Sequence, residues 1–175
     1  TKYASVDVQV RGLYDVGSGQ DDPSKLASVS INDVDLGPAR GVREVEAADT
    51  TLSTSCALRG WAQLPPYTVP TIDGTKSINL EMVPALIRAV ADVEVECWLE
   101  NEGDTIQVPT VGWTRVQVDT PYELRARAPG MRLASHKTVT FTREQFWEAS
   151  RSMEAPPSSS SPVVLDLDVR MEPST

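Results

Sequence analysis

Residues 92–118 read DVEVECWLENEGDTIQVPTVGWTRVQV, and their alternation decides the fold class. Val93, Val95, Cys97 and Leu99 alternate with Glu94, Glu96, Trp98 and Glu100. A period of two gives a strand one dry face and one wet face. Residues 101–104 (NEGD) then break the run with side chains that tolerate turn geometry. The chain resumes extended over 105–108 and again over 111–118. The stretch predicts an antiparallel hairpin or meander at the centre of a sheet.

The same period recurs on both sides of it. Val6, Val8 and Val10 alternate with Asp7, Gln9 and Arg11, and Val29 and Ile31 share one parity. Residues 41–47 and 56–64 read as strands, the second with a bulge at Gly60. Ile78, Leu80 and Met82 share a face, as do Tyr122, Leu124 and Ala126, and Val139 with Phe141. A last strand over 163–171 points Leu165, Leu167, Val169 and Met171 inward. Residues 15–24 (DVGSGQDDPS) have nothing to pack and read as a loop. Pro65, Pro66 and Pro70 bracket Tyr67 in an extended crossover.

Two short helices are expected among about eight to ten strands. The first covers about 84–91 (PALIRAVA), where a first-turn proline needs no amide partner and Ala, Leu and Arg favour helix. The second covers about 143–153. Thr142 and Gln145 have the spacing of a capping box, and Phe141 and Phe146 that of a hydrophobic staple. Its buried side should carry Phe146, Trp147 and Ser150. Residues 155–162 (APPSSSSP) read as a tether or exposed loop before the last strand. The expectation is a mainly β chain, an antiparallel β-sandwich of jelly-roll or Greek-key type, in one domain over 1–175. No internal repeat is visible in the sequence.

The net charge of −9 argues against nucleic acid binding through the folded domain, because an acidic surface repels phosphate. Twelve of the sixteen basic side chains are arginine, which suits fixed, bidentate pairing. No apolar run approaches the roughly 20 residues that span a bilayer. A chain that begins at Thr1 reads as processed or trimmed, and the location favoured is a virion or the extracellular space over the cytoplasm.

Cys56 and Cys97 read either as two buried thiols or as a disulfide between neighbouring strands. With one histidine they cannot build a closed four-ligand zinc site. That histidine, His136, reads as solvent-facing or capping, since no Gly-x-Ser-x-Gly accompanies it. Paired acids two apart on a strand share a face about 7 Å apart. The candidate calcium ligands are Asp21, Asp22, Asp166 and Asp168, with the plain alternative of a solvated strand face. No other cofactor is expected.

The tryptophans complete the set of candidates. Trp61 and Trp113 read as core. Trp98 takes the parity of Glu94, Glu96 and Glu100, and an aromatic ring on a wet face wants a partner: a flanking helix, another subunit or a sugar. Trp98, Tyr67 and Trp147 are the interaction candidates. The chain carries no recognisable catalytic set, so the expected function is non-enzymatic. The first reading is a self-assembling shell or virus-capsid-type subunit, which works by self-association or contact with other protein subunits. The alternative is a carbohydrate-binding or other extracellular binding module.

Overall fold

The computed structural model describes residues 3–17, 22–38, 41–47, 50–71 and 75–174. It is mainly β, with 54% of the described residues in strands and 8% in helices. Most strand pairs are antiparallel, as expected. Packing divides the chain into two compact units. Unit 1 is Thr1–Pro84 with Pro157–Pro162, and unit 2 is Ala85–Pro156 with Val163–Thr175.

Unit 1 contains β1 (Tyr3–Gly12), α1 (Pro23–Leu26), β2 (Ser28–Ile31), β3 (Val34–Gly37), β4 (Gly41–Glu46), β5 (Thr51–Ala57), β6 (Trp61–Gln63), β7 (Thr68–Pro70) and β8 (Thr75–Pro84). They form two four-stranded sheets, ordered β4-β1-β8-β6 and β3-β2-β5-β7. Both sheets feed one core. Val6, Val8, Val10, Ile78, Leu80 and Met82 come from the first, and Val29, Ile31, Leu52, Cys56 and Val69 from the second. This is a sandwich, and its valine-rich composition follows from the inward parity of short strands.

A buried polar pair ties β5 to β6 within that core. Gln63 and Thr54 are 3% and 1% exposed. The Cys56 N–H donates to Gln63 Oε1 (3.1 Å), and Gln63 Nε2 donates to the carbonyls of Thr54 (3.4 Å) and Pro66 (3.3 Å). The amide is thus satisfied, which is the condition for burying it.

Unit 2 contains β9 (Leu86–Val90), β10 (Glu96–Asn101), β11 (Asp104–Val108), β12 (Thr114–Arg115), β13 (Pro121–Arg127), β14 (Met131–Leu133), β15 (Thr138–Thr140), α2 (Arg143–Arg151), β16 (Val164–Asp168) and β17 (Met171–Pro173). Its sheets are ordered β12-β9-β16, β11-β10-β13-β15 and β14-β17. Leu86, Ile87, Cys97, Leu99, Leu124, Phe146 and Leu167 are buried.

The two units repeat one winding. Each unit 2 strand up to β16 bears the number of its unit 1 counterpart plus eight, and the neighbours match. β1 pairs with β4 antiparallel and with β8 parallel, and β9 pairs with β12 antiparallel and with β16 parallel. β2 pairs with β3 and β5, and β10 with β11 and β13. β5 pairs with β7, and β13 with β15. These parallel first-to-last pairs depart from a wholly antiparallel sheet, and they require the chain to cross between sheets before it returns.

A difference in pairing among the described residues is a break. β8 runs on from β1 to pair Met82 with Gln63, whereas in unit 2 the last strand is interrupted at Val169 and Arg170 before Met171 pairs with Leu133. The matched register superimposes Met82-Val83-Pro84 on Met171-Glu172-Pro173.

The helix expected at 84–91 is corrected: these residues hold β9, with Leu86, Ile87 and Ala89 buried between neighbouring strands. A contiguous apolar run of this length fits a buried strand as well as a helix, and tertiary pairing overrides helix propensity. Of the expected hairpin or meander, the antiparallel hairpin of β10 and β11 holds and the meander is corrected. β12 leaves the sheet of β10 and β11 and pairs with β9, after Pro109 and a Gly112 turn with φ +90°. The β10–β11 turn itself is at Glu102 and Gly103, both with positive φ, as two-residue hairpins require.

α2 matches its expectation. Thr142 Oγ1 accepts from the Gln145 N–H and Gln145 Oε1 accepts from the Thr142 N–H, while Phe141 and Phe146 are both buried. The described part of the loop expected at 15–24 differs by a short helical turn. Asp22 caps the short α1 by accepting from the Ser24 N–H, with Pro23 at its first position. Residues 155–162 are irregular, and Ser158 and Ser161 exchange backbone hydrogen bonds.

A charged face around Trp98 and an open end in unit 2

The wet side of β10 and β13 carries a connected polar arrangement. The antiparallel register sets Glu96 opposite Arg127, Trp98 opposite Arg125, and Glu100 opposite Glu123. Two like charges directly opposite would destabilise the sheet. Arg125 resolves this from the next pair along. Its Nε donates to Glu100 Oε2 (3.2 Å) and its Nη2 to Glu123 Oε2 (2.6 Å).

Trp98 is built into the same lattice. Its indole N–H donates to Glu100 Oε1 (2.9 Å), and the Arg127 guanidinium lies 5.6 Å from the ring centroid. Arg127 also holds Glu96 bidentately, at 3.0 Å for each bond. The Trp98 N–H and then Arg125 hold the Glu100 carboxyl below the usual glutamate range. Glu100 thus accepts at both carboxylate oxygens. His136 is exposed at the end of this chain of contacts, with Nε2 3.7 Å from Glu123 Oε1.

The partner of Trp98 is thus its own sheet. Exposed pairs of this kind contribute about 0.2–1 kcal/mol each, so the network orders the face more than it stabilises the fold. At one end of it, Glu94, Val95, Glu96, Arg127, Ala128 and Pro129 line an open pocket of about 650 Å³.

The other interaction candidates stand on separate elements. Tyr67 is half-buried in unit 1, its hydroxyl 3.5 Å from the Gln63 carbonyl. Trp147 is half-buried on α2, with Arg151 5.5 Å from its ring centroid. Trp61 is buried as expected, but Trp113 is 40% exposed, which corrects its reading as core. The turn at Gly112 carries it and Val111, which is 89% exposed, out of the sheet. The alternation that read Val93 as inward fails there for a related reason. Strand β10 starts only at Glu96, and Val93 sits 37% exposed in the crossing before it.

Cys56 and Cys97 are both buried thiols outside any disulfide, so the disulfide alternative is not realised. Cys56 belongs to the core of unit 1, while Cys97 lies in β10 of unit 2 with its thiol donating to the Val108 carbonyl (3.4 Å). Burial pushes the Cys97 thiol up.

The candidate calcium carboxylates do not gather. Asp22 is occupied as the α1 cap, Asp166 pairs with Arg88 (3.0 Å) and Asp168 with Arg170 (3.1 Å). Asp21 lies outside the described residues. Among the described residues no three His, Cys, Asp or Glu side chains are grouped to hold a metal ion. Nor is any helix among them long and apolar enough to cross a membrane.

Fold and faces define a mainly β protein of two like-wound sandwich units. No family model matches the chain, and no curated protein sequence does. A solved chain described as the Bacillus anthracis TIE protein is similar at 10% identity with a TM-score of 0.31. The likeness spans 98% of this chain and 34% of that one. A likeness at that level identifies no function.

Proposed function

We propose that this chain is a non-enzymatic structural and interaction protein that works by association with protein surfaces, and that copies of it assemble as shell-type subunits do. The observation that supports this reading is the repetition of one sandwich winding in two units, with the charges on the Trp98 face of unit 2 paired within their own sheet. Around Trp98 the carboxylates are held by arginine and indole donors, which suits a fixed surface and not proton transfer. The glycan alternative loses its main support here, because Arg127 already lies against the Trp98 ring that a sugar would stack on.

Light scattering across a range of concentrations, with and without calcium, tests the proposal. A discrete oligomer or large particle is expected. A strict monomer at high concentration would refute self-assembly, and glycan screening would then follow.

A further inference from the structure

We infer that the end of unit 2 built from residues 90–95 and 109–113 docks a different protein, which seats an apolar side chain flanked by lysine or arginine. This rests on the reading of the chain as an interaction protein and is independent of self-assembly.

The repeat supplies the reference. In the shared register Ser5 faces Thr75 as Leu86 faces Val164, so Gly12 of unit 1 corresponds to Val93 of unit 2. Unit 1 closes this end with its own chain. Here α1 packs against β1 with Pro23 buried on it, and Trp61 is 4% exposed. The closure is tight: a Cβ at Gly12 would lie 3.0 Å from the Trp61 ring and 3.1 Å from Pro23. Leu13 and Leu26, at 36% and 49% exposed, belong to this cap.

Unit 2 has only residues 91–95 in the corresponding connection, and they form no helix. Its second crossing at this end runs beside the end of β9. The Ala89 N–H donates to the Pro109 carbonyl (2.8 Å), and Thr114 faces Ile87. Four apolar side chains are left in solvent: Val90 at 43%, Val93 at 37%, Val111 at 89% and Trp113 at 40%. Isolated exposed apolar residues are ordinary, but several converging on one end mark a contact surface.

Charge selects the occupant. Asp92 and Glu94 are exposed in the first crossing and Glu96 begins β10, while Arg127 is already neutralised by Glu96. A second copy seated here through the same end would bring the same acidic rim against this one. Like charges facing across an interface oppose association, whereas a basic rim is attracted. The fitting partner therefore pairs an apolar anchor with basic flanks.

The test titrates the ¹⁵N-labelled protein with the hexapeptide KWPKLK, with EWPELE and KSPKSK as controls. KWPKLK should shift amide resonances of residues 90–96 and 109–113, and the controls should not. Val111→Asp should weaken binding about tenfold. Glu94→Lys should weaken it several-fold and flatten its salt dependence. Both positions are exposed, so melting temperatures should stay unchanged. Equal binding of either control overturns the proposal, as do shifts outside these residues or none at all. Shifts in the same residues on raising protein concentration alone would place a second copy there and also overturn it.

Discussion

Units 1 and 2 wind eight strands in the same order, yet they close differently. In unit 1 the end beyond β1 is sealed by Trp61, Pro23 and α1 packed on Gly12. In unit 2 the matching end leaves Val93, Val111 and Trp113 in solvent. The additional structure of unit 2 lies elsewhere, in α2 between β15 and β16. The corresponding connection of unit 1 is only residues 71–74. One sheet scaffold thus tolerates additions wherever a loop crosses, because the pairing and the inward parity carry most of the stability.

The strongest way to break this picture is a pair of core truncations read by calorimetry. Phe146→Ala should cost unit 2 about 3–5 kcal/mol, and Ile78→Ala should cost unit 1 about 2–5 kcal/mol. Two transitions are expected, each moved by its own substitution. A single transition moved by both would make 1–175 one cooperative domain. Gly12→Ala is next, at about 1–3 kcal/mol, because the new methyl must push the Trp61 ring or Pro23 aside. Its effect should be confined to unit 1, seen as a near-ultraviolet change in tryptophan dichroism. Thr142→Ala should cost unit 2 about 1 kcal/mol by removing the α2 cap, measured by urea denaturation.

The smallest effect is electrostatic. Trp98→Phe removes the indole donor, so the Glu100 carboxyl should titrate closer to the ordinary glutamate value of 4.5. A lowered carboxylate stabilises the fold fully above that value, and its contribution fades as pH falls through the lowered one. The variant should therefore lose slightly less stability on acidification below 4.5. Carbon-detected NMR titration of Glu100 reads the shift, and an unmoved titration would remove Trp98 as its cause.

The sheets were legible where side chains alternate. Val6, Val8 and Val10 and the pair Cys97 and Leu99 lie inward as their parity requires. The α2 cap was legible because Thr142 and Gln145 act within four residues of each other. What failed depended on distant partners. Residues 86–90 became a strand only because β12 and β16 flank them. Trp113 left the core because the chain changes sheets at Gly112, which no local period records. The repeat was hidden because pairing register, not side-chain identity, carries it; within the matched last strands, Met-x-Pro at 82–84 and 171–173 is the recurring trace. Of the candidate site, the exposure of Trp98 was half anticipated. Its carboxylate partner, Glu100, is two residues along on the same strand, but Arg125 and Arg127 come from β13 and needed the fold to be found.

The two buried thiols have a practical consequence. Each unit holds one buried thiol, Cys56 at 8% and Cys97 at 2% exposure. A thiol reagent can reach either one only when the surrounding strands open. The molecule therefore carries a chemical clock in each half. The labelling rates of the two cysteines, read separately by mass spectrometry, time the opening of the two sandwiches in a single unmodified sample.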